Sequence, residues 1–185
     1  ILTMLIAIPT GVKIFNWIGT MWGGRIRFET PMLFALGFIT MFMIGGFTGI
    51  MHSSVPIDAQ HQDTYFVVAH FHYVLIGGAL FGLFSGFYYW LPKITGRMMS
   101  EKLGKFVFTL MFLGFNLTFF PMHYLGMIGQ PRRTHSYNEG HGFETWNQIA
   151  TVGSFILGVG VFIGVLQFIH SAYSKKLKPA GKNPW

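Results

Sequence analysis

The sequence predicts an all-α, polytopic transmembrane helix bundle. Of its 185 residues, 51% are hydrophobic and only 10% are charged, whereas roughly 25% of the residues in an ordinary soluble domain are charged. Several apolar stretches also exceed the roughly 20 residues with which a helix spans a bilayer. The core of a soluble domain would be cut into shorter apolar pieces, so the pattern indicates lipid as the surrounding medium.

Five apolar stretches predict four complete spans and one truncated first span. The first stretch begins at Ile1, without Met and without a basic leader, so we expect the chain to be part of a longer protein. No linker or internal repeat separates the stretches, which predicts a single domain. The spans are expected at about residues 1–17, 31–51, 65–91, 106–128 and 149–172.

Lysine and arginine residues predict the orientation of the bundle. When successive loops are placed on alternate sides, only Arg132 and Arg133 fall on one side, so the opposite side faces the cytoplasm or its organellar equivalent. The cations lie in short loops and form no polar, aromatic-interleaved surface, so the net charge of +7 does not indicate nucleic acid. The inner cations are Arg25, Arg27, Lys93, Arg97, Lys102, Lys105, Lys175, Lys176, Lys178 and Lys182.

Two histidines at the start of the third span are candidate metal ligands. The chain has no cysteine, so a metal would be held by His, carboxylate or Met. His70 and His72 are two residues apart, and a rotation of about 100° per residue places them on nearly opposite sides of a helix. They could each serve a different metal, such as a heme iron, or be hydrogen-bonded structural histidines.

A strip of polar residues along the first span is a candidate proton route. Thr3, Thr10 and Lys13 share one side of the predicted helix, with Pro9 interrupting the backbone hydrogen bonds beside them. A buried lysine beside hydroxyl groups can relay protons. The alternative is that Lys13 extends to the inner interface and that the threonines bond their own backbone.

Opposite charges are predicted on the outer side, near the two histidines. Asp58 and Asp63 precede the third span, and Arg132 and Arg133 lie in the next outer loop. An arginine pair can bind carboxylates, including heme propionates, although surface ion pairing is the ordinary alternative. No ligand role is predicted for the remaining histidines, His52, His61, His123, His135, His141 and His170.

Four motifs carry a resemblance to a known family. The segments IPTGVKIFNW, HQDTYFVVAHFHYVL, NLTFFPMHYLGMIGQPRR and TWN resemble the C-terminal half of the catalytic subunit of the heme-copper oxidases. The resemblance implies that His70 binds the iron of a high-spin heme and His72 that of a low-spin heme. It also implies that Thr10 and Lys13 belong to a proton pathway, and that Asp58, Arg132 and Arg133 interact with heme propionates.

The resemblance places a magnesium or manganese ligand at Asp63, but this chain departs from the family beside it. The family usually has a histidine before this aspartate, where this chain has Gln62, which could offer a carbonyl oxygen. His61 is one position earlier, and a shift of one residue changes its direction. The copper ligands of the family all lie upstream of this sequence.

The resemblance also implies an activity and its partners. The parent protein would be a cytochrome-c oxidase that reduces dioxygen to water and translocates protons, with two hemes of the A type and copper. The stretch DTYFVVAHFHY favours cytochrome c over a quinol as electron donor. Expected partners are the lipid bilayer, the copper-bearing subunit II and subunit III, in a bacterial inner membrane rather than a mitochondrial one. The alternatives are a quinol oxidase, a non-enzymatic transporter and a heme electron carrier.

Overall fold

The fold is known from a computed structural model that describes residues 2–174, 176–182 and 184–185, and it confirms the all-α membrane architecture. Five helical spans in this described part are long and apolar enough to cross a membrane. Ile1, where the first span was predicted to begin, and Lys175, among the predicted inner cations, lie outside the described residues. The helices are α1 Leu2–Met21, α2 Thr30–His52, α3 Val55–His61, α4 Tyr65–Val74, α5 Phe81–Thr95, α6 Glu101–Met127 and α7 Glu144–Tyr173.

The third span is one continuous helical rod with a π-helical segment, Leu75–Leu80, between α4 and α5. The span runs from Tyr65 to Thr95 and therefore has 31 residues. It begins at Thr64, whose hydroxyl accepts a hydrogen bond from the backbone N–H of Phe66 at 3.2 Å. This N-cap places both candidate histidines within the first turns of the span.

All five spans are longer than the apolar stretches that predicted them. The α6 helix begins at Glu101 rather than Phe106 because polar groups satisfy its first turn. Ser100 caps it by accepting from the Leu103 N–H, and the Glu101 carboxylate accepts from the Thr30 N–H at 3.0 Å and the Thr30 hydroxyl at 2.9 Å. A helix can therefore continue beyond its apolar part when its end groups are hydrogen-bonded.

The short helix α3 was not predicted from the sequence. It has seven residues, with Pro56 in its first turn, and it lies in the outer loop between α2 and α4. Proline is well tolerated there because the first N–H groups of a helix have no partner within the helix. Seven residues with an acid and two polar side chains have too little apolar content to stand out from a loop.

The core of the bundle is aromatic and lies between α2, the third span and α6. Phe34 stacks on Tyr88 at a centroid distance of 5.4 Å and packs edge-on against Phe108 at 5.2 Å. The α7 helix packs on α6 where Gly153 meets the backbone of Thr118, the close approach that small residues allow between membrane helices. The α1 helix contacts α2, with Trp17 and Phe38 at 5.0 Å, and is otherwise largely exposed.

Candidate functional site

The imidazole of His70 is held by α2. Its Nδ1 atom lies 3.0 Å from the carbonyl oxygen of Gly45 and 2.9 Å from the hydroxyl oxygen of Thr48. Because the carbonyl can only accept, it assigns the proton to Nδ1 and leaves the lone pair on Nε2. His70 is therefore oriented and in the tautomer that a metal ligand requires.

Gly49 provides the space for this imidazole. A Cβ atom at this position would lie 3.0 Å from Cε1 of His70 and 3.8 Å from its Nε2. A side chain there would press on Cε1, which lies between the two ring nitrogens. The glycine thus leaves room for the imidazole of His70.

The imidazole of His72 is held by its own helix and by α6. Its Nδ1 atom donates to the carbonyl of Val68 at 2.7 Å, which again leaves Nε2 with a free lone pair. The ring stacks on Phe119 at 4.1 Å and on the neighbouring Phe71 at 4.5 Å. Both contacts restrict the ring to one orientation.

The two imidazoles leave α4 on different sides, as their spacing predicts. His70 is turned to α2, and His72 is turned to Phe119 of α6. Throughout the described residues, no three His, Cys, Asp or Glu side chains converge in a way that could hold a metal ion. A single imidazole on each side of a helix is the arrangement in which one histidine serves as an axial ligand of a heme iron.

The π-helical segment directly follows the two histidines and was missed by sequence reasoning. Such segments are rare and occur frequently at functional sites. Gly77 lies in it, where a Cβ atom would be 2.6 Å from Cβ of Met41 on α2. The only signal in the sequence is the Gly77-Gly78 pair, which helix packing also explains. The segment brings the third span into close contact with α2, beside Gly45 and Thr48.

Of the opposite charges predicted on the outer side, Asp63 and Arg132 form an ion pair through their side chains. The backbone supports it: the Arg132 N–H donates to the Asp63 carbonyl at 2.8 Å, and the Tyr65 N–H donates to the Gln130 carbonyl at 3.0 Å. Asp63 and Arg133 both adopt left-handed backbone conformations, with φ of 57° and 64°, which are uncommon for residues other than glycine. The two outer loops are thereby joined at the N-terminus of the histidine helix.

Asp58 and Arg133 lie on the same outer side but outside this ion pair. Asp58 is half-buried in the first turn of α3, whereas the Arg133 side chain is exposed. The Nε atom of Arg132 is buried and has no hydrogen-bond partner among the described residues. Arg132 thus retains a donor for a further acceptor, as a propionate-binding arginine would.

The magnesium or manganese ion at Asp63 stays a prediction, and in the described residues the side chains suggested for it have other contacts. The Asp63 carboxylate is paired with Arg132, and Gln62 is exposed at the C-cap of α3. The ring of His61 stacks on Phe66 at 4.1 Å, with its Nδ1 atom buried. A hard cation needs several oxygen ligands that converge, so no step of the mechanism is derived from this ion.

The candidate proton route on α1 has an exposed lysine and a threonine bonded to its own backbone. Lys13 is exposed, and the Thr10 hydroxyl donates to the carbonyl of Ile6 at 2.9 Å, the backbone bond that was the alternative interpretation for this threonine. Within the described chain, α1 packs mainly on α2. The role of Thr10 and Lys13 in proton transfer stays a prediction.

A comparison with protein families decides the classification. A sequence model of the family described as "Cytochrome C and Quinol oxidase polypeptide I" matches residues 1–156. The chain belongs to this family. The cofactors of the family are heme and copper, and its members work within multi-subunit oxidase complexes in membranes. With its five membrane spans, the chain is an integral membrane protein.

Individual relatives agree with the family match. The chain is 49% identical to a cytochrome c oxidase subunit 1 of Alkalihalophilus pseudofirmus and 52% identical to one of Synechocystis, over 99% of its length in both cases. It spans 29% and 32% of those relatives, that is, about a third of their length. A probable cytochrome c oxidase subunit 1-beta of Nocardia farcinica is 56% identical over 86% of the chain and is matched over 27% of its own length.

A solved structure has the same fold. It is that of a heme-copper terminal oxidase dimer, with a TM-score of 0.70 and 24% sequence identity. The match covers 81% of this chain and 28% of that one. At this identity the likeness concerns the arrangement of helices alone.

The histidine geometry fits the hemes of the oxidase family. His70 and His72 each donate Nδ1–H to a backbone carbonyl, which leaves Nε2 as the donor atom that an axial heme ligand needs. Both side chains are half-buried beside glycine or aromatic residues that suit an apolar macrocycle. Sequence reasoning found both histidines but could not find Gly45 and Thr48, which are distant in sequence and meet His70 only in the fold.

Proposed function

We propose that this chain is the part of an oxidase catalytic subunit that supplies one axial ligand to each of two hemes. His70 would bind the high-spin heme of the oxygen-reducing site, and His72 would bind the low-spin heme. The observation that carries the proposal is the pair of free Nε2 atoms on opposite sides of α4, each set by a backbone hydrogen bond at Nδ1. The iron of each heme would supply the redox chemistry, and the high-spin iron would also bind dioxygen.

The protein's own contribution is orientation and basicity. A carbonyl that accepts from Nδ1–H fixes the plane of the imidazole and makes Nε2 a stronger donor. For His70 that carbonyl belongs to Gly45, and the Thr48 hydroxyl adds a second contact. For His72 it belongs to Val68, with Phe119 packed on the ring. Since both histidines sit on one helix, its backbone sets the relative positions of the two imidazoles that would hold the hemes.

The outer charges would hold the propionates. Arg132 has a buried Nε atom without a partner in the described residues, in addition to its ion pair with Asp63. Guanidinium groups bind carboxylates with charge-assisted hydrogen bonds. We assign the same function to Arg133 and, as a neighbouring acid, to Asp58, in agreement with the resemblance of these positions to the family.

The complete subunit would reduce dioxygen to water and couple this reaction to proton translocation. Thr10 and Lys13 would lie on the inner proton route, and electrons would come from cytochrome c through subunit II, with subunit III as a further partner. The similarity to relatives named cytochrome c oxidase subunit 1 supports cytochrome c, although the family also includes quinol oxidases. The bacterial origin of these relatives supports a bacterial inner membrane.

The proposal can be tested by optical spectroscopy of the complete oxidase purified from its native membrane. Reduced-minus-oxidised spectra, with and without carbon monoxide, should show two heme populations, of which only one binds carbon monoxide. His70→Ala should remove the population that binds carbon monoxide and spare most of the low-spin signal. His72→Ala should do the reverse.

His123→Ala is the matched control, because His123 is also a half-buried histidine in a span but is not assigned to a heme. It should retain both heme populations. A complete oxidase without heme, or a His70→Ala variant that still turns over normally, would contradict the proposal. In the first case the assignment of His70 and His72 as heme ligands would fail.

A further inference from the structure

Three histidines without an assigned function surround Phe66, a buried residue of α4. His52 contacts the Phe66 ring edge-on at 5.3 Å, His61 stacks on it at 4.1 Å, and His123 contacts it edge-on at 5.0 Å. Each has at least one buried ring nitrogen without a hydrogen-bond partner among the described residues. The atoms are Nε2 of His52, Nδ1 of His61 and both ring nitrogens of His123.

His52 differs from the other two because it also contacts His70. The two imidazole rings meet edge to face, with centroids 5.0 Å apart and planes at 72°. In the described part of the chain, neither His61 nor His123 makes a ring contact of this kind with His70. His52 therefore belongs to the immediate surroundings of the high-spin heme ligand.

His52 lies on the face of α2 that holds His70. Gly45, Thr48 and His52 follow one another at steps of three and four residues, so they share one face of the helix. The first two hold Nδ1 of His70. His52 is the next residue along this face, at the outer end of α2, on the side of the bundle where Asp63 and Arg132 form their ion pair.

The free Nε2 atom of His52 requires an acceptor or donor that the neighbouring side chains do not provide. The His61 ring is nearby, with a centroid distance of 6.0 Å, but its own buried Nδ1 atom also lacks a partner, so the two rings are not hydrogen-bonded. A buried polar atom is costly unless it is hydrogen-bonded. In the proposed function, His70 binds a heme next to this atom. The anionic acceptors of a heme are its two propionates.

We propose that His52 donates a hydrogen bond from Nε2–H to a propionate of the heme held by His70. This inference rests on the proposed function, and it makes His52 a positioning residue. The contact is distinct from that of Arg132 and Arg133, because it comes from α2 and from a neutral donor. The α2 face, through His52, would thus add a propionate contact to those proposed for the arginines of the loop after α6.

A hydrogen bond to a propionate withdraws negative charge from the macrocycle, which favours the reduced, less positive iron. Loss of the donor should therefore lower the midpoint potential of the high-spin heme and shift the propionate bending mode in its resonance Raman spectrum. The low-spin heme should keep both properties, because His72 lies on the other side of α4 and is in contact with α6.

The test compares His52→Met with His52→Gln in the complete oxidase. The two side chains have similar volumes, and only glutamine retains an N–H donor. His52→Met should shift the propionate mode and lower the high-spin midpoint potential, while His52→Gln should leave both close to those of the unaltered enzyme. His123→Met is the control, because His123 also has buried ring nitrogens without partners among the described residues, but its ring contacts Phe66 and Tyr73 rather than the ring of His70. It should shift neither property.

Other outcomes separate this inference from the proposed function. A His52→Met oxidase with both hemes and an unchanged propionate mode would overturn the inference, and the partner of Nε2 would then be water. A shift confined to the iron–imidazole stretching mode would also overturn it, since His52 would then act on the His70 ring alone. If His52→Met fails to bind heme and His52→Gln binds it, the donor requirement is supported; failure of both variants would count against it. Absence of heme from the unaltered enzyme would instead refute the proposed function.

Discussion

Gly49 lies against the imidazole of His70, so that a Cβ atom at position 49 would be 3.0 Å from Cε1 of the ring. The preceding turn of the same helix holds Nδ1 of that ring through Gly45 and Thr48. One helix therefore both fixes His70 and leaves room for its ring.

Substitution of Gly49 by alanine should disturb the His70 imidazole. The new Cβ atom would be tighter than an ordinary contact, and overpacking of this kind typically costs roughly 1–3 kcal/mol. We expect Gly49→Ala to lower the occupancy of the high-spin heme, measured as the carbon monoxide difference signal per mole of purified oxidase. Gly46→Ala is the control, because a Cβ atom there would have no neighbour within 4 Å among the described residues. Equal signals in the two variants would argue against steric control by Gly49.

The ion pair between Asp63 and Arg132 should contribute little to stability. The Asp63 side chain is 73% exposed, and exposed ion pairs are typically worth less than about 1 kcal/mol. In a double-mutant cycle of Asp63→Asn and Arg132→Gln, monitored by thermal unfolding of the complex, we expect a coupling energy below about 1 kcal/mol. A larger value would mean that the backbone contacts between the two outer loops depend on the ion pair.

Arg132→Gln should nevertheless alter the heme signals more than Asp63→Asn does. The guanidinium retains a buried donor beyond its partner Asp63, and glutamine would remove its charge. Optical spectra of the two single variants, purified in parallel, test which substitution changes the heme signals more. A larger change in Asp63→Asn would contradict the prediction and would point to Asp63 as the residue that matters for the hemes.

The carboxylate of Glu101 should stabilise the inner end of the bundle. It accepts two hydrogen bonds from Thr30, one of them from the backbone at the start of α2. Hydrogen bonds to charged groups are worth about 1.5–3 kcal/mol each, and less where the group is partly exposed. We expect Glu101→Ala to destabilise the complex by roughly 1–2 kcal/mol in thermal unfolding. Lys102→Ala, at the adjacent exposed position, should have almost no effect.

Lys13→Met should slow the reduction of the high-spin heme in the complete oxidase. If Lys13 transfers protons, its loss should reduce this rate by roughly 100-fold, the lower end of what a proton-transfer group contributes. Stopped-flow spectroscopy of the reductive phase measures this rate. Lys105→Met is the control, since Lys105 is an exposed inner lysine on α6. Equal rates in Lys13→Met and the unaltered enzyme would leave Lys13 as an interfacial lysine.

The sequence predicted where the five spans lie better than it predicted where each helix ends. Apolar length located all five spans, but Glu101 and Thr95 lie outside the apolar stretches and are nevertheless helical. The α3 helix and the π-helical segment were missed, because a seven-residue polar helix and a local change in backbone hydrogen bonding leave no periodic signal. These features depend on contacts such as that between Glu101 and Thr30, which join residues far apart in the chain.

The sequence by itself determined the membrane fold, the five spans and the two histidines on opposite sides of one helix. These follow from apolar length and helical rotation, which are local properties. Only the tertiary structure decided that Gly45 and Thr48 fix His70, that Arg132 pairs with Asp63, and that His52 contacts the His70 ring. These pairs join different helices and loops, and the packing that brings them together has no counterpart in the spacing of residues along the chain.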